Sequence, residues 1–165
     1  MMVNIYIYQT IKGPGTKAGS FTYILETEIN GKTATLTKTD TLEPMTENRA
    51  ELTVLLKALK RLRTKCSVQV IGSSDYVRQG AEKWLKAWAG KDFKTAKGKE
   101  VANKEEWQQF LTYQEAYDIV FAREKSHSYK NWMQEETERK ERERRELCSK
   151  DLENLTVRKK STKPQ

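Results

Sequence analysis

Two tryptophans and a run of lysines are the best candidates for ligand chemistry in this chain. Trp84 and Trp88 lie one helical turn apart, and six lysines surround and follow them: Lys83, Lys86, Lys91, Lys94, Lys97 and Lys99. Lysine ammonium groups bind phosphates without regard to base sequence, and neighbouring aromatic rings can support a nucleic-acid strand. We interpret the stretch as a surface that follows a phosphate backbone. The alternative is that the tryptophans pack in the core and the lysines only solvate a loop.

Other reactive side chains fit no recognised catalytic pattern. The single histidine, His127, has no G-x-S-x-G motif near it, so a nucleophilic triad is disfavoured. Cys66 and Cys148 lack metal-ligand spacing, and we interpret them as a packing residue and a tail residue. Asp75 opens a predicted helix, where a carboxylate more often stabilises the helix dipole than binds a metal.

The charge balance of this 165-residue chain favours an anionic partner. The net charge is +8 and the pI is about 9.4, which fits nucleic acid but also a membrane surface or simple solubility. The length fits one domain whose core needs no disulfides. Because neither a signal peptide nor a membrane-spanning apolar run is evident, we expect a reduced, cytoplasmic protein without a membrane partner.

The elements that must position these side chains begin with a predicted antiparallel meander. Residues 3–8, 20–29 and 32–38 have strand patterns, and Asn30-Gly31 is a two-residue hairpin signal. A helix over residues 48–62 follows, with leucines at helical spacing and Thr46 as its cap.

The second half of the chain alternates strands and helices. We predict a strand at 67–71, a helix opening at Ser73 or Ser74, a helix at 104–117 and a strand at 118–123, with a loop at 125–132. This order predicts a mixed α/β sheet with a right-handed crossover. The interleaved charges after residue 134 favour a solvent-exposed helix, and residues 158–165 are predicted to be disordered.

Several motifs resemble those of bacterial ribonuclease HI, a type 1 ribonuclease H. Residues 76–108 have the order of that family's handle region, and Asn48-Arg49-Ala50-Glu51-Leu52 matches its Asn-Arg-x-Glu-Leu motif in full. The resemblance covers roughly residues 3–136. It implies an α/β ribonuclease H-like fold: a mixed five-stranded sheet, with an antiparallel meander and then parallel strands, flanked by helices. It also divides the chain into a domain, 1–136, and a charged helical extension, 137–165.

The family's chemistry is metal-dependent hydrolysis of the RNA strand of an RNA·DNA hybrid. Four carboxylates hold two Mg²⁺ or Mn²⁺ ions, because these hard cations prefer oxygen ligands. By resemblance, Glu51 takes the second carboxylate position and Glu135 the fourth, so both are the catalytic and metal-binding candidates. Tyr8 and Ser73 occupy the first and third positions. The resemblance therefore implies a weakened metal site.

By this resemblance, the sequence matches the family's duplex-binding residues better than its catalytic residues. Thr46 and Asn103 match residues that grip one phosphate of the DNA strand, and Asn48 matches a residue that reads the minor groove. The remaining candidates for nucleic-acid contact are Trp84, Trp88, Lys94 and Lys97.

Three hypotheses about function follow. The first is a nucleic-acid-binding protein that recognises an RNA·DNA hybrid or related duplex, with hydrolysis weak or lost. The second is an active, divergent ribonuclease H that holds one metal with Glu51 and Glu135, and with Asp75 as a further candidate ligand. The third is a protein-interaction module whose charged C-terminal helix contacts a partner.

Overall fold

The computed structural model describes residues 1–161, with side chains to residue 155, and is built around a mixed sheet. Strands β1 (Met2–Gln9), β2 (Lys17–Ile29) and β3 (Lys32–Met45) pair antiparallel. β4 (Ser67–Ile71) and β5 (Asp118–Phe121) extend the sheet in parallel beyond β1, so the strand order is β3-β2-β1-β4-β5. The predicted meander and mixed five-stranded sheet are confirmed.

The β2–β3 hairpin turns at the predicted dipeptide. Asn30 and Gly31 have φ of 53° and 76°, the left-handed pair that a tight hairpin turn requires. Asparagine and glycine tolerate this region, whereas a branched side chain would be strained there.

Helices cover both faces of the sheet. They are α1 (Glu47–Leu59), α2 (Asp75–Gln79), a π-helical segment (Gly80–Trp84), α3 (Leu85–Gly90), α4 (Lys104–Ala116) and α5 (Lys130–Ser161). The hydroxyls of Thr46 and Ser74 cap α1 and α2 by accepting from backbone N–H groups three residues on. None of the described helices combines the length and apolar character that crossing a bilayer requires.

The core has two layers because side chains alternate along β1. Val3, Ile5 and Ile7 belong to the main cluster, which includes the apolar faces of α1 and α4. Tyr6 points the other way and packs with Met133 of α5. This arrangement leaves the carboxyl ends of β1 and β4 side by side at one edge of the sheet.

Helix α5 begins earlier than the sequence predicted and belongs partly to the folded body. It starts at Lys130, inside the predicted loop at 125–132, and its residues Met133, Thr137 and Glu141 are buried. The Thr137 hydroxyl lies 2.7 Å from that of Thr22 on β2. The buried face contains only one apolar residue among these three, so hydrophobic periodicity gave no signal for it. The helix includes residues 158–161 of the segment predicted to be disordered, and residues 162–165 lie outside the described residues.

Candidate nucleic-acid interface and the neighbouring cavity

The lysine-rich segment is a small, anchored loop. The handle loop, residues 91–101, is anchored by two buried apolar residues, Phe93 and Val101, and the Val101 N–H donates to the Phe93 carbonyl at 2.9 Å. Lys94 pairs with Glu100 through an isolated β-bridge. The side chains of Lys97 and the other loop lysines are exposed. The loop therefore holds its positive charges away from the core on a fixed base.

The two tryptophans have different environments. Trp84 is 43% exposed, whereas Trp88 packs on the fully buried Trp107 with ring centroids 5.6 Å apart. The Trp84 and Trp88 rings are 6.0 Å apart. Trp88 thus lies between the buried Trp107 and Trp84, whose ring is exposed to solvent.

Trp107 also fixes the start of α4. Its indole N–H donates to the Tyr76 hydroxyl at 3.0 Å, and the Asn103 amide donates to the same oxygen at 3.1 Å. Asn103 has φ of 60°, a left-handed conformation that asparagine tolerates. Gly80 lets the indole approach, since a Cβ added there would lie 2.4 Å from two ring carbons.

The starts of α1 and α4 lie next to each other. Arg49 of α1 forms an ion pair with Glu106 of α4, with N and O 2.8 Å apart. Thr46 and Asn48, at the start of α1, are exposed, and Asn103 is partly exposed at the start of α4. The predicted phosphate-gripping pair therefore occupies two helix starts that an ion pair ties together.

A cavity of about 330 Å³ lies at the carboxyl ends of β1 and β4. Its lining includes Tyr8 at the end of β1, Glu51 on α1, Ser73 and Asp75 after β4, and His127 just before α5. Ligand sites of open α/β sheets commonly lie at this edge. The structure thus brings together three of the four positions at which the resemblance placed carboxylates.

The Glu51 carboxylate forms a hydrogen bond and an ion pair within the protein. It is buried, its Oε1 accepts from the Gln9 amide at 2.9 Å, and the Lys12 ammonium lies 3.5 Å from the same oxygen. Gln9 is itself almost fully buried and also bonds the backbone of Ile11. The Glu51 carboxylate is therefore compensated by a hydrogen-bond donor and a lysine of the same chain.

Tyr8 and Ser73 offer no anionic ligands. Desolvation raises the pKa of the Tyr8 phenol above its usual value, and the charges of Glu138 and Glu51 raise it further. The phenol therefore stays protonated at neutral pH. Ser73 contributes a neutral hydroxyl that is buried and has no hydrogen-bond partner in the described part of the chain.

The other two candidate ligands do not complete a metal site. Asp75 is largely exposed and pairs with Arg78 and Lys125, at 3.6 Å and 3.5 Å. Glu135 is exposed and does not line the cavity, because the phase of α5 turns Gln134 toward it instead. Within residues 1–155, no three His, Cys, Asp or Glu side chains are grouped to hold a metal. These residues do not fit the family's two-metal arrangement.

Sequence reasoning missed several side chains that define the cavity. Lys12 follows β1, Lys125 follows β5, Lys130 opens α5, and all three line the cavity. The available signal was topological: loops that follow adjacent parallel strands meet at one edge of the sheet. Gln9 was missed because a glutamine inside a strand carries no pattern of its own.

His127 is partly buried against the sheet. Its ring lies 4.7 Å from that of Tyr6, and its Nδ1 is buried without a hydrogen-bond partner among the described residues. Desolvation lowers the pKa of His127 below its usual value, and the nearby Lys130 lowers it further. The imidazole is therefore uncharged at neutral pH.

Comparison with known proteins identifies relatives of this architecture. A family model described as RNase H matches residues 10–137. The Ribonuclease H of Cupriavidus pinatubonensis is 38% identical over 76 residues, which cover 46% of this chain and 52% of the relative. The Ribonuclease H of Francisella tularensis subsp. novicida is 35% identical over 83 residues, 50% of this chain and 55% of the relative. The chain spans about half the length of the curated relatives it matches.

Solved structures share the fold. LC9-RNase H1, described as a type 1 RNase H with the type 2 active-site motif, has a TM-score of 0.64 at 19% identity, over 77% of this chain and 64% of that chain. The PFV RNase H domain has a TM-score of 0.60 at 21% identity, over 86% and 92%. At such identities the likeness concerns the fold alone, and it confirms the predicted ribonuclease H-like fold.

Proposed function

Because this chain belongs to the RNase H family, we propose that it binds an RNA·DNA hybrid or a related duplex, and that its own hydrolysis of RNA is weak or lost. The observation that carries the proposal is that the Glu51 carboxylate already has partners within the protein. The one carboxylate that matches a full family motif is held by Gln9 and Lys12. Two Mg²⁺ or Mn²⁺ ions in close proximity need several free anionic oxygens. The carboxylates that line this cavity, those of Glu47, Glu51 and Asp75, are each already engaged by a donor within the protein.

The duplex-binding half of the proposal rests on exposed polar and cationic groups at the start of α1 and around the handle loop. Thr46 and Asn48 are exposed at the start of α1, and Trp84 presents its ring next to the handle loop. Lys94 and Lys97 form no ion pair with any described carboxylate. Uncompensated ammonium groups release counterions when they meet phosphates, which provides affinity without sequence preference.

The direct test measures binding and cleavage in the same samples. A labelled 20-base-pair RNA·DNA hybrid is incubated with the purified chain in Mg²⁺, in Mn²⁺ and in chelator, and binding is followed across a salt series. We expect binding in all three conditions, affinity that falls steeply with salt, and no cleavage beyond that of a protein-free sample. An active ribonuclease H serves as the positive control for the substrate.

Each alternative gives a different result. Metal-dependent cleavage of the RNA strand that Glu51→Gln abolishes would show that Glu51 is catalytic and that the chain is a divergent enzyme. Absence of duplex binding at low salt would contradict the proposal altogether and favour a protein-interaction role for the fold. Equal affinity for hybrid, double-stranded RNA and double-stranded DNA would keep the binding function but widen its ligand.

A further inference from the structure

Two unpartnered polar atoms lie in the wall of one cavity. The Ser73 hydroxyl and Nδ1 of His127 are buried, have no hydrogen-bond partner among the described residues, and belong to side chains that line the cavity at the ends of β1 and β4. Ser73 is only 7% exposed. A buried polar group without a partner destabilises the folded protein, so two of them in the wall of one cavity form a place that a polar ligand can complete.

One ammonium near these atoms is free to bind an anion. The cavity carboxylates each have a partner: Glu51 has Gln9 and Lys12, Asp75 has Arg78 and Lys125, and Glu47 accepts from the Gly13 N–H at 2.9 Å. In contrast, the Lys130 ammonium has no carboxylate within 4.0 Å in the described part of the chain. The three lysines and three carboxylates that line the cavity balance in charge, and Lys130 is the ammonium left free to donate to a ligand.

The donors available also suit an oxyanion more than a cation. A serine hydroxyl and a neutral imidazole can each donate one hydrogen bond, and a lysine ammonium can donate up to three. A divalent cation would instead meet a protonated phenol at Tyr8, a neutral hydroxyl at Ser73 and a nearby ammonium. The ligand that matches this set is a phosphate group, whose oxygens accept from all three donors.

We propose that this cavity binds one backbone phosphate of the nucleic acid directly, with the Ser73 hydroxyl, the His127 imidazole and the Lys130 ammonium donating to its oxygens and no divalent metal between them. The proposal rests on the proposed duplex-binding function. It assigns to protein donors the phosphate contact that the family's metal ions make, and it explains how a cavity short of carboxylates still contributes to binding.

The test uses the hybrid in chelator and variants of the cavity. Ser73→Asp is expected to weaken hybrid binding by about tenfold or more, because a carboxylate at hydrogen-bonding distance repels a phosphate. Lys130→Gln, at an exposed position, should weaken binding by about threefold and lower the salt slope by about one. Lys32→Gln is the matched control, since Lys32 opens β3 at the opposite end of the sheet, and it should bind like the wild type.

Wild-type affinity should change less than about twofold between chelator and Mg²⁺ at equal ionic strength.

A second measurement reports on the site itself. Inorganic phosphate is titrated into the isotope-labelled protein in chelator, and backbone and imidazole NMR signals are followed. Saturable shifts at Ser73 and His127 that Lys130→Gln weakens support the proposal, whereas shifts limited to the handle loop overturn it. Thermal unfolding checks that Ser73→Asp folds, and Lys130→Gln keeps the test valid if it does not.

Failure of this inference differs from failure of the duplex-binding proposal. If wild-type binding needs Mg²⁺, or if Ser73→Asp and Lys130→Gln bind as tightly as the wild type while handle-loop variants weaken binding, the direct phosphate contact is wrong and duplex binding stands. If the wild type binds no hybrid at low salt, both proposals are wrong.

Discussion

The cavity and the handle loop both contain lysines, but the two regions use them differently. In the cavity, Lys12 and Lys125 each lie 3.5 Å from a carboxylate, so their charges are compensated within the protein. In the handle loop, Lys94 and Lys97 are exposed and have no described carboxylate within ion-pairing distance. In the cavity, these lysine and carboxylate charges balance one another, whereas the handle loop keeps positive charge that an external anion can meet.

The largest expected effect comes from making the cavity acidic again. Tyr8→Asp, Ser73→Asp and Gln134→Asp together would add three carboxylates to a cavity that Glu47, Glu51 and Asp75 already line. We expect Mg²⁺-dependent cleavage of the hybrid at least about a hundredfold above the wild-type background, since several anionic oxygens can then hold metal ions. Gel assays of the labelled RNA strand measure it. The double variant that retains Gln134 is the control, and it should remain much weaker because Glu135 does not line the cavity.

The packing of Trp107 beneath the proposed binding surface can be tested separately from the charges of that surface by measuring stability. Gly80→Ala places a methyl group against the buried Trp107, so we expect a loss of about 1–3 kcal/mol in the free energy of unfolding and a parallel loss of hybrid affinity. Denaturant titration gives the free energy. Gly90→Ala is the matched control: nothing lies within 4 Å of the added Cβ, and stability should be unchanged or slightly higher. Equal stability of the two variants would show that the Trp107 indole moves aside for the added methyl group at little cost.

Charge reversal in the handle loop should affect binding without affecting stability. Lys94→Glu with Lys97→Glu should lower hybrid affinity by about tenfold and reduce the salt slope by about two, because each lost phosphate contact removes released counterions. Fluorescence anisotropy at several salt concentrations measures both. Lys32→Glu with Lys65→Glu makes the same charge change near the opposite end of the sheet. If the two double variants bind alike, net charge and not the handle loop determines affinity.

The smallest effect concerns His127 and pH. The folded protein lowers the pKa of this imidazole, so the unfolded chain takes up a proton first as the pH falls below about 6.5. The free energy of unfolding should therefore decline between pH 7 and pH 5, and His127→Gln should flatten that decline. Thermal unfolding across this range measures the difference. An unchanged pH profile in the variant would place the acid sensitivity at other groups.

Much of the fold followed from local patterns. The alternation of residues 3–8, the Asn30-Gly31 turn and the short apolar strand at 67–71 each contain enough local information to be predicted. The helix bounds were predicted less precisely, since α1 ends at Leu59 and α5 begins at Lys130. Helix ends depend on capping and tertiary contacts, as the burial of Thr137 and Glu141 illustrates.

The candidate site could be predicted only in part. The three positions that motif matching assigned to Tyr8, Glu51 and Ser73 line one cavity, since those motifs follow strands or open a helix. It assigned Glu135 to the fourth position by its spacing from an asparagine, but the phase of α5 turns Gln134 to the cavity. A shift of one residue rotates a helical side chain by about 100°, so spacing alone could not decide this position.

The sequence by itself determined the strand and helix types, the turn chemistry, the positive charge of the handle loop and the absence of carboxylates at positions 8 and 73. Only the tertiary structure decided that Gln9 and Lys12 hold Glu51, that Lys125 reaches Asp75, and that Ser73 and His127 share one cavity without partners. The physical reason is the distance along the chain over which the determining interactions act. Local conformation depends on neighbouring residues, whereas the charge state and partners of a side chain depend on groups that the sheet register and helix phase bring together from distant parts of the chain.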